Sequence, residues 1–433
     1  MPVNDTRLLR LCTLLLTIIA SIDSSADACT TAVISGKATV DGRPLLWKNR
    51  DAPARHNEVA LLTEGPLRAI AVVNAGSRRS AWMGMNEAGF CIENSLSTDL
   101  RQPGKKTGFN NGTLIKRALQ TCRTVADFKQ LLEETNQTGR RTDANFGVID
   151  AQGGAALFET GPTSFTMFDA NDPAVAPHGY FVRSNFATTA HDFPANPTPE
   201  QLGKIYSAER YSQACSRLDL QKDKGITVDY LIRHLTRDLS QETGTPHPGT
   251  VNGSAAPLPA TIATKNTISR TTTVSAAVFH GVKPGEDPRL ATMWTILGNP
   301  SFSLAVPSWV DVQTIAEPLT DENGAALGEI AITLRDWNKT DDGNSISTQC
   351  LPGIWSDLWP VEDKILTLTS RFQQARKEHG YSVGAITRFH QKMADLAMTA
   401  MQQELREMKQ AAITFPAPPP PTFAPVKKTI VIP

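Results

Sequence analysis

Net charge is absent from this sequence, in which 43 Lys and Arg residues balance 43 Asp and Glu residues along 433 positions. A balanced chain presents no field that would draw it to nucleic acid or to an anionic membrane, so neither partner gains support from charge. Long apolar runs are missing too, since no stretch approaches the roughly 18 consecutive apolar residues that a membrane-spanning helix needs. With six cysteines and eight histidines, no C-x-x-C pair and no H-E-x-x-H spacing occurs, which leaves a zinc site without a pattern. G-x-S-x-G, P-loop and Rossmann fingerprints are likewise missing, so the chemistries they mark lose their simplest support.

What is present is the composition of a globular protein, 40% hydrophobic and 20% charged, long enough to bury a sizeable core. Arg7 and Arg10 precede the largely apolar run Leu11 to Ile19, and small and polar residues follow, ending in Ala26-Asp27-Ala28. Residues 1–28 therefore read as a secretory signal peptide with an A-x-A cleavage site, and the protein is expected to be periplasmic or secreted, without a membrane span. Removal of that segment takes Cys12 away and leaves Cys29, Cys91, Cys122, Cys215 and Cys350. An odd number in an oxidising compartment leaves at least one thiol outside any disulfide.

Thr30 to Ser35, a turn at Asp41-Gly42 and Pro44 to Asp51 read as a β-hairpin at the new N-terminus. Strand-like segments follow at Val59 to Leu62, Arg68 to Val73, Ala81 to Met85 and Phe90 to Glu93. Asn111-Gly112-Thr113 opens a helix with Leu114, Ala118 and Cys122 on one face. Thr124 to Asp127 resembles a capping box for a second helix to about Glu134. Strands resume at Asn145 to Asp150, Ala155 to Glu159 and Tyr180 to Val182, and later at Thr272 to Phe279 and Ser303 to Val306. Thr243 to Ala263 reads as a long loop. Helices are expected over Val361 to Glu378 and Val383 to Gln410, and residues 411–433 form a Pro-rich tail. The order of strands, helix pair and strands predicts an α+β fold of stacked layers rather than βαβ units. Residues 29–410 would form one domain.

Cys29 stands directly after the expected cleavage point. One processing event would leave its thiol and a free α-amine on the same residue, and that amine can serve as the local base. The bland readings are a disulfide partner, a small core residue or a lipid anchor; Ala26 and Asp27 fit a lipidation signal poorly.

The segment Cys29-Thr30-Thr31, followed by Asp41-Gly42-Arg43-Pro44-Leu45-Leu46-Trp47-Lys48-Asn49-Arg50-Asp51, resembles the N-terminal nucleophile cysteine amidohydrolases. This group includes bile salt hydrolases, penicillin V acylases, isopenicillin N acyltransferases and N-acylethanolamine acid amidases. Their returning strand carries [Arg/Gln]-Asn-x-Asp, matched by Lys48, Asn49 and Asp51, with Lys48 departing from the usual Arg and Arg50 as its partial replacement. Gly84 to Phe90 resembles a G-x-N-E-x-G-L turn, with Asn94 near an oxyanion position. Tyr180 to Asn185 resembles the V-x-T-N element, and Ser207 to Tyr211 the S-x-x-R-[F/Y] segment.

The resemblance implies a four-layer αββα sandwich with the strand from Cys29 central. It implies catalytic roles for Cys29, Asp51, Asn185 and Arg210, substrate contacts from Lys48, Asn49, Arg50 and Asn94, and a small-molecule amide substrate with no cofactor or metal. Asn185 and a backbone N–H would stabilise the oxyanion. Cysteine dipeptidases of the same group, which begin Cys-Thr-Thr, are the alternative activity, and a non-catalytic exported lipoprotein or binding protein is the alternative of another class.

Overall fold

The computed structural model describes residues 28–97, 99–100, 107–241, 247–251, 254–255 and 257–414. Of the expected signal peptide, residues 1–27 lie outside the described residues, as does the expected Pro-rich tail after 414; Ala28 already belongs to the first strand, and residues 411–414, expected in the tail, are helical instead. The expected hairpin opens the described residues: β1 (Ala28–Ile34) and β2 (Leu45–Asp51) pair antiparallel, from Ala28 opposite Asp51 to Ile34 opposite Leu45. All residues of both strands are buried. Their polar positions, Thr30, Thr31 and Lys48 to Asp51, are therefore interior groups that must find partners inside the protein.

The chain then lays down a seven-stranded antiparallel meander: β3 (Asn57–Leu62), β4 (Ala69–Asn74), β5 (Met83–Asn86), β6 (Cys91–Leu96), β7 (Ala144–Ile149), β8 (Ala155–Thr160) and β9 (Phe165–Asp169). β10 (Tyr180–Arg183) returns to pair with β1, while β11 (Thr273–His280), β12 (Thr292–Leu297) and β13 (Val306–Ser308) extend the sheet from β2. The order β10-β1-β2-β11-β12-β13 gives β1 a neighbour on each side, one strand in from the edge. β9 and β12 are strands that the sequence pattern does not announce.

The two sheets stack face to face, β1 and β2 against β6 and β7. Close approach requires Gly147, where an added Cβ would lie 2.7 Å from Val33 Cγ2 and 2.9 Å from Leu46 Cδ1. α1 (Asn111–Thr121) and α2 (Val125–Thr138) cover the outer face of the meander. The Thr124 capping box is formed, and the Phe128 ring packs against Phe146 and Phe158 with centroids 5.6 and 5.2 Å apart. α3 (Ala208–Asp219), α4 (Ala326–Asn338), α5 (Leu351–His379) and α6 (Val383–Thr414) lie on the side of the six-stranded sheet. Helices, sheet, sheet and helices give the expected αββα order.

α5 starts ten residues before the expected Val361 and carries Pro360 inside it. Proline removes one helical hydrogen bond, but both flanks are pinned here. Trp355 stacks on Trp359 at 5.0 Å, Arg233 lies over the Trp359 ring, and Glu362 forms a buried ion pair with Arg237 at 2.6 Å.

Candidate active site

Cys29 is the second residue of β1, 5% exposed and directly opposite Arg50. Its backbone N–H donates to Asn185 Oδ1 at 3.1 Å, and its carbonyl accepts from Arg210 Nη1 at 2.7 Å. Arg210 also donates to Thr30 Oγ1 at 2.8 Å and to Asn185 Oδ1 at 2.6 Å. One buried guanidinium on the first turn of α3 thus joins both ends of the site. Burial lowers the pKa of Arg210, and the nearby Asp51 carboxylate acts in the opposite sense.

Asn185 follows β10 directly. Its Nδ2 donates to the Leu96 carbonyl at 2.8 Å while its oxygen receives Cys29 and Arg210, an arrangement that fixes which way the amide faces. The oxygen, not the amide nitrogen, is turned to the Cys29 backbone. The backbone N–H of Asn185 donates to Ser207 Oγ at 2.9 Å, and Ser184 Oγ donates to the Ser207 carbonyl at 2.9 Å. Ser207 has φ 71°, the one positive φ among the described residues that are not glycine. This costly conformation places α3, and with it Arg210, against Asn185.

Asp51 ends β2, 2% exposed, held by Arg270 Nη1 at 2.9 Å and by Thr273 Oγ1 at 2.6 Å. Arg270 lies within electrostatic reach of Cys29 as well, so Arg270 and Arg210 both stand near the thiol and the Asp51 carboxylate. Lys48 Nζ donates to Asn94 Oδ1 and to the Trp82 carbonyl, each at 2.8 Å. Asn94 Nδ2 has no acceptor among the described residues. Glu93 is fully buried beside Lys48 and Thr31, and burial pushes its carboxyl well above the usual carboxylate range.

Arg50 reaches from the position opposite Cys29 to Asn57 and Asn74, at 3.0 and 3.1 Å, and its guanidinium lies 4.6 Å from the Trp82 ring centre. Asn49 turns to the other face of the sheet, where it donates to the carbonyls of Thr236 at 2.9 Å and Ile268 at 3.1 Å. The structure therefore gathers Cys29, Asp51, Asn185 and Arg210, ties Asn94 to the same strand pair through Lys48, and directs Asn49 elsewhere.

Arg270, Thr273 and the 57%-exposed Tyr206, which acts electrostatically on both Arg210 and Arg270, were not singled out by motif. A buried carboxylate needs a cation, but the partner of Asp51 lies 219 residues along the chain and nothing local marks it. No disulfide forms among the described residues. Burial raises the thiol pKa of Cys122 and of Cys215 to about 12, which leaves both inert as nucleophiles at neutral pH. A cavity of about 740 Å³, lined by Asp41, Arg43, His280, Thr292 and Gln373, lies at the opposite end of β2 from Asp51.

No curated protein matches the chain. Among solved structures it is similar to an N-acylethanolamine-hydrolyzing acid amidase ortholog of Caenorhabditis elegans, at 10% identity and TM-score 0.38 over 60% of this chain and 93% of that one. It is similar to a variant of the conjugated bile acid hydrolase from Clostridium perfringens, at 11% identity and TM-score 0.38 over 65% and 93%. The penicillin V acylase from Agrobacterium tumefaciens follows at 12% identity and TM-score 0.35 over 68% and 89%. The family model for acyl-coenzyme A:6-aminopenicillanic acid acyl-transferase matches residues 38–202, a span that holds Asp51, Asn94 and Asn185, begins after Cys29 and ends before Arg210. The resemblance to the N-terminal nucleophile hydrolases of linear amides, read from the sequence, is thereby borne out, on the acyl-transferase family's match to residues 38–202.

Proposed function

We propose that the chain is an exported amidohydrolase that cleaves the linear C–N amide bond of a small N-acyl substrate through a thioester on Cys29. The observation that carries this reading is the Asn185 oxygen 3.1 Å from the Cys29 nitrogen, with Arg210 bonded to both residues. In the continuous chain that nitrogen is an amide and cannot act as a base. Cleavage before Cys29 would turn it into an α-amine held at the same oxygen, with its lone pair available to the thiol. Removal of Ala28, fully buried and paired opposite Asp51, would leave the new amine next to the strand end that carries Asp51.

The thiol proton passes to the α-amine as the sulfur attacks the amide carbonyl. Arg210 and Arg270, both in electrostatic contact with Cys29, favour the developing thiolate. The carbonyl oxygen becomes an oxyanion, for which the Asn94 Nδ2 donors are available because Lys48 occupies the other end of that amide. The α-amine then protonates the departing amine, the C–N bond breaks and a thioester remains. Water, or a second amine in an acyl transfer, releases the acyl group and restores the thiol. The residues described require no cofactor for this sequence.

Incubating the form that begins at Cys29 with N-acyl amino acids, acyl amines, β-lactams, bile salt conjugates and dipeptides tests the reading. Acyl-amide turnover with an acyl mass on the Cys29 peptide supports it. Turnover of dipeptides alone would move the protein to the dipeptidase alternative.

A further inference from the structure

Three carboxylates meet on the α5–α6 hairpin, on elements that supply nothing to the Cys29 site. Asp357 lies on α5, and Glu404 and Glu407 lie one turn apart on α6, with an oxygen from each within 4.8 Å of the others. Asp357 and Glu407 are exposed, but Glu404 is only 6% exposed and its Oε2 is buried with no hydrogen-bond partner. Among the described residues none of the three makes an ion pair. Asp357 accepts from Ser356 Oγ at 3.3 Å and Glu407 from Gln403 Nε2, both neutral donors, while Arg406 turns to Gln403 Oε1 at 2.7 Å.

A buried carboxylate without a donor, facing two more carboxylates, lacks both hydration and a counter-charge. We propose that Asp357, Glu404 and Glu407 bind one hard divalent cation of the calcium or magnesium kind, which clamps α5 to α6. An all-oxygen, carboxylate-only donor set suits such a cation rather than zinc or copper. Two exposed ligands leave room for water to complete the shell, as an open, moderate-affinity calcium site requires.

Burial first, then the charges of Asp357 and Glu407, raise the Glu404 pKa to about 7. Glu404 also acts electrostatically on the thiol of Cys350.

Isothermal titration of the full mature chain with calcium chloride, and separately magnesium chloride, against sodium chloride at matched ionic strength tests the site. The expected result is one saturable ion per chain, with Kd about 10⁻⁴–10⁻³ M for calcium. Asp357→Asn and Glu407→Gln, both at exposed positions, should each weaken binding about tenfold or more without changing the melting temperature of the ion-free protein, and Glu404→Gln should abolish it. Absence of saturable binding in the millimolar range, with the carboxylates sharing a proton only, overturns the proposal. Binding that Asp357→Asn and Glu407→Gln leave unchanged overturns it equally, and neither outcome bears on the amide chemistry at Cys29.

Discussion

Asn185 presents its side-chain oxygen, 3.1 Å away, to the backbone nitrogen of Cys29. That nitrogen is the atom which cleavage would convert from a peptide amide to an amine. The two residues are 156 positions apart, brought together because β10 pairs with β1, Thr31 opposite Arg183, and the chain turns at Ser184 onto Ser207.

Asn185 and Asn94 should fail in different ways. Asn185→Ala removes the acceptor that orients the α-amine and should slow acyl transfer from the thiol at all pH values. Asn94→Ala removes the available oxyanion donor and should lower kcat by on the order of 100-fold or more with KM little changed. Steady-state kinetics of both variants checks this, and an Asn94→Ala enzyme with normal kcat would return the oxyanion role to Asn185.

Arg210 has three acceptors, the Cys29 carbonyl, Thr30 Oγ1 and Asn185 Oδ1. Arg210→Met should leave these three buried acceptors without their donor and cost about 1–3 kcal/mol for each one left unsatisfied, visible as a lower urea midpoint. Arg210→Lys should recover part of the stability but little activity, because an ammonium lacks the planar fork that spans the Cys29 carbonyl and the Asn185 oxygen.

Ser207 separates strain from hydrogen bonding. Ser207→Gly relieves the left-handed backbone yet loses the hydroxyl that receives the Asn185 N–H, whereas Ser207→Ala keeps the strain and loses the same bond. Ser207→Gly should be more stable than Ser207→Ala by about 1 kcal/mol, while both lose turnover to a similar degree. Equal stabilities in urea titration would show that the backbone at this turn is not strained.

The hairpin from Cys29 to Asp51 was legible because Asp41-Gly42 supplies the turn and the flanking runs have strand composition. The Thr124 capping box was legible for a similar, local reason. Asn185 and Arg210 could be placed only by their order in a family pattern, since an asparagine after a strand and an arginine in a helix are ordinary features. α4 was not legible: Ala325 precedes it without a side-chain cap and Lys339 follows it with extended backbone, so neither end carries a signal. α5 was read as starting after Pro360 because a proline normally ends a helix, and the contacts of Trp355, Trp359 and Glu362 that override this rule are tertiary. Arg270 remained hidden for the same reason, as its importance comes wholly from Asp51.

His390 makes stability sensitive to acid. It is fully buried, with Ala316 N–H donating to Nε2 at 3.0 Å and Nδ1 facing the Pro307 carbonyl at 2.9 Å, and burial lowers its pKa to about 4. The folded state holds this ring neutral while the unfolded chain protonates it near 6.5. The resulting stability is therefore fully present above pH 6.5 and is lost as pH falls toward 4, about 3 kcal/mol in all. Urea titrations across that range should show the loss in the native protein and a flatter profile in His390→Gln. Identical slopes would assign the acid limb to other groups.

The account stands or falls on the Cys29 α-amine. An uncleavable N-terminal extension ahead of Cys29, compared with the form that begins at Cys29, keeps the thiol, Asn185 and Arg210 in place but leaves an amide where the base should be. The extended protein should show the same circular dichroism as the form that begins at Cys29, with amide hydrolysis reduced about 100-fold or more, the range over which a positioned base contributes. Equal rates from the two forms would contradict the N-terminal nucleophile mechanism and require a base elsewhere in the chain.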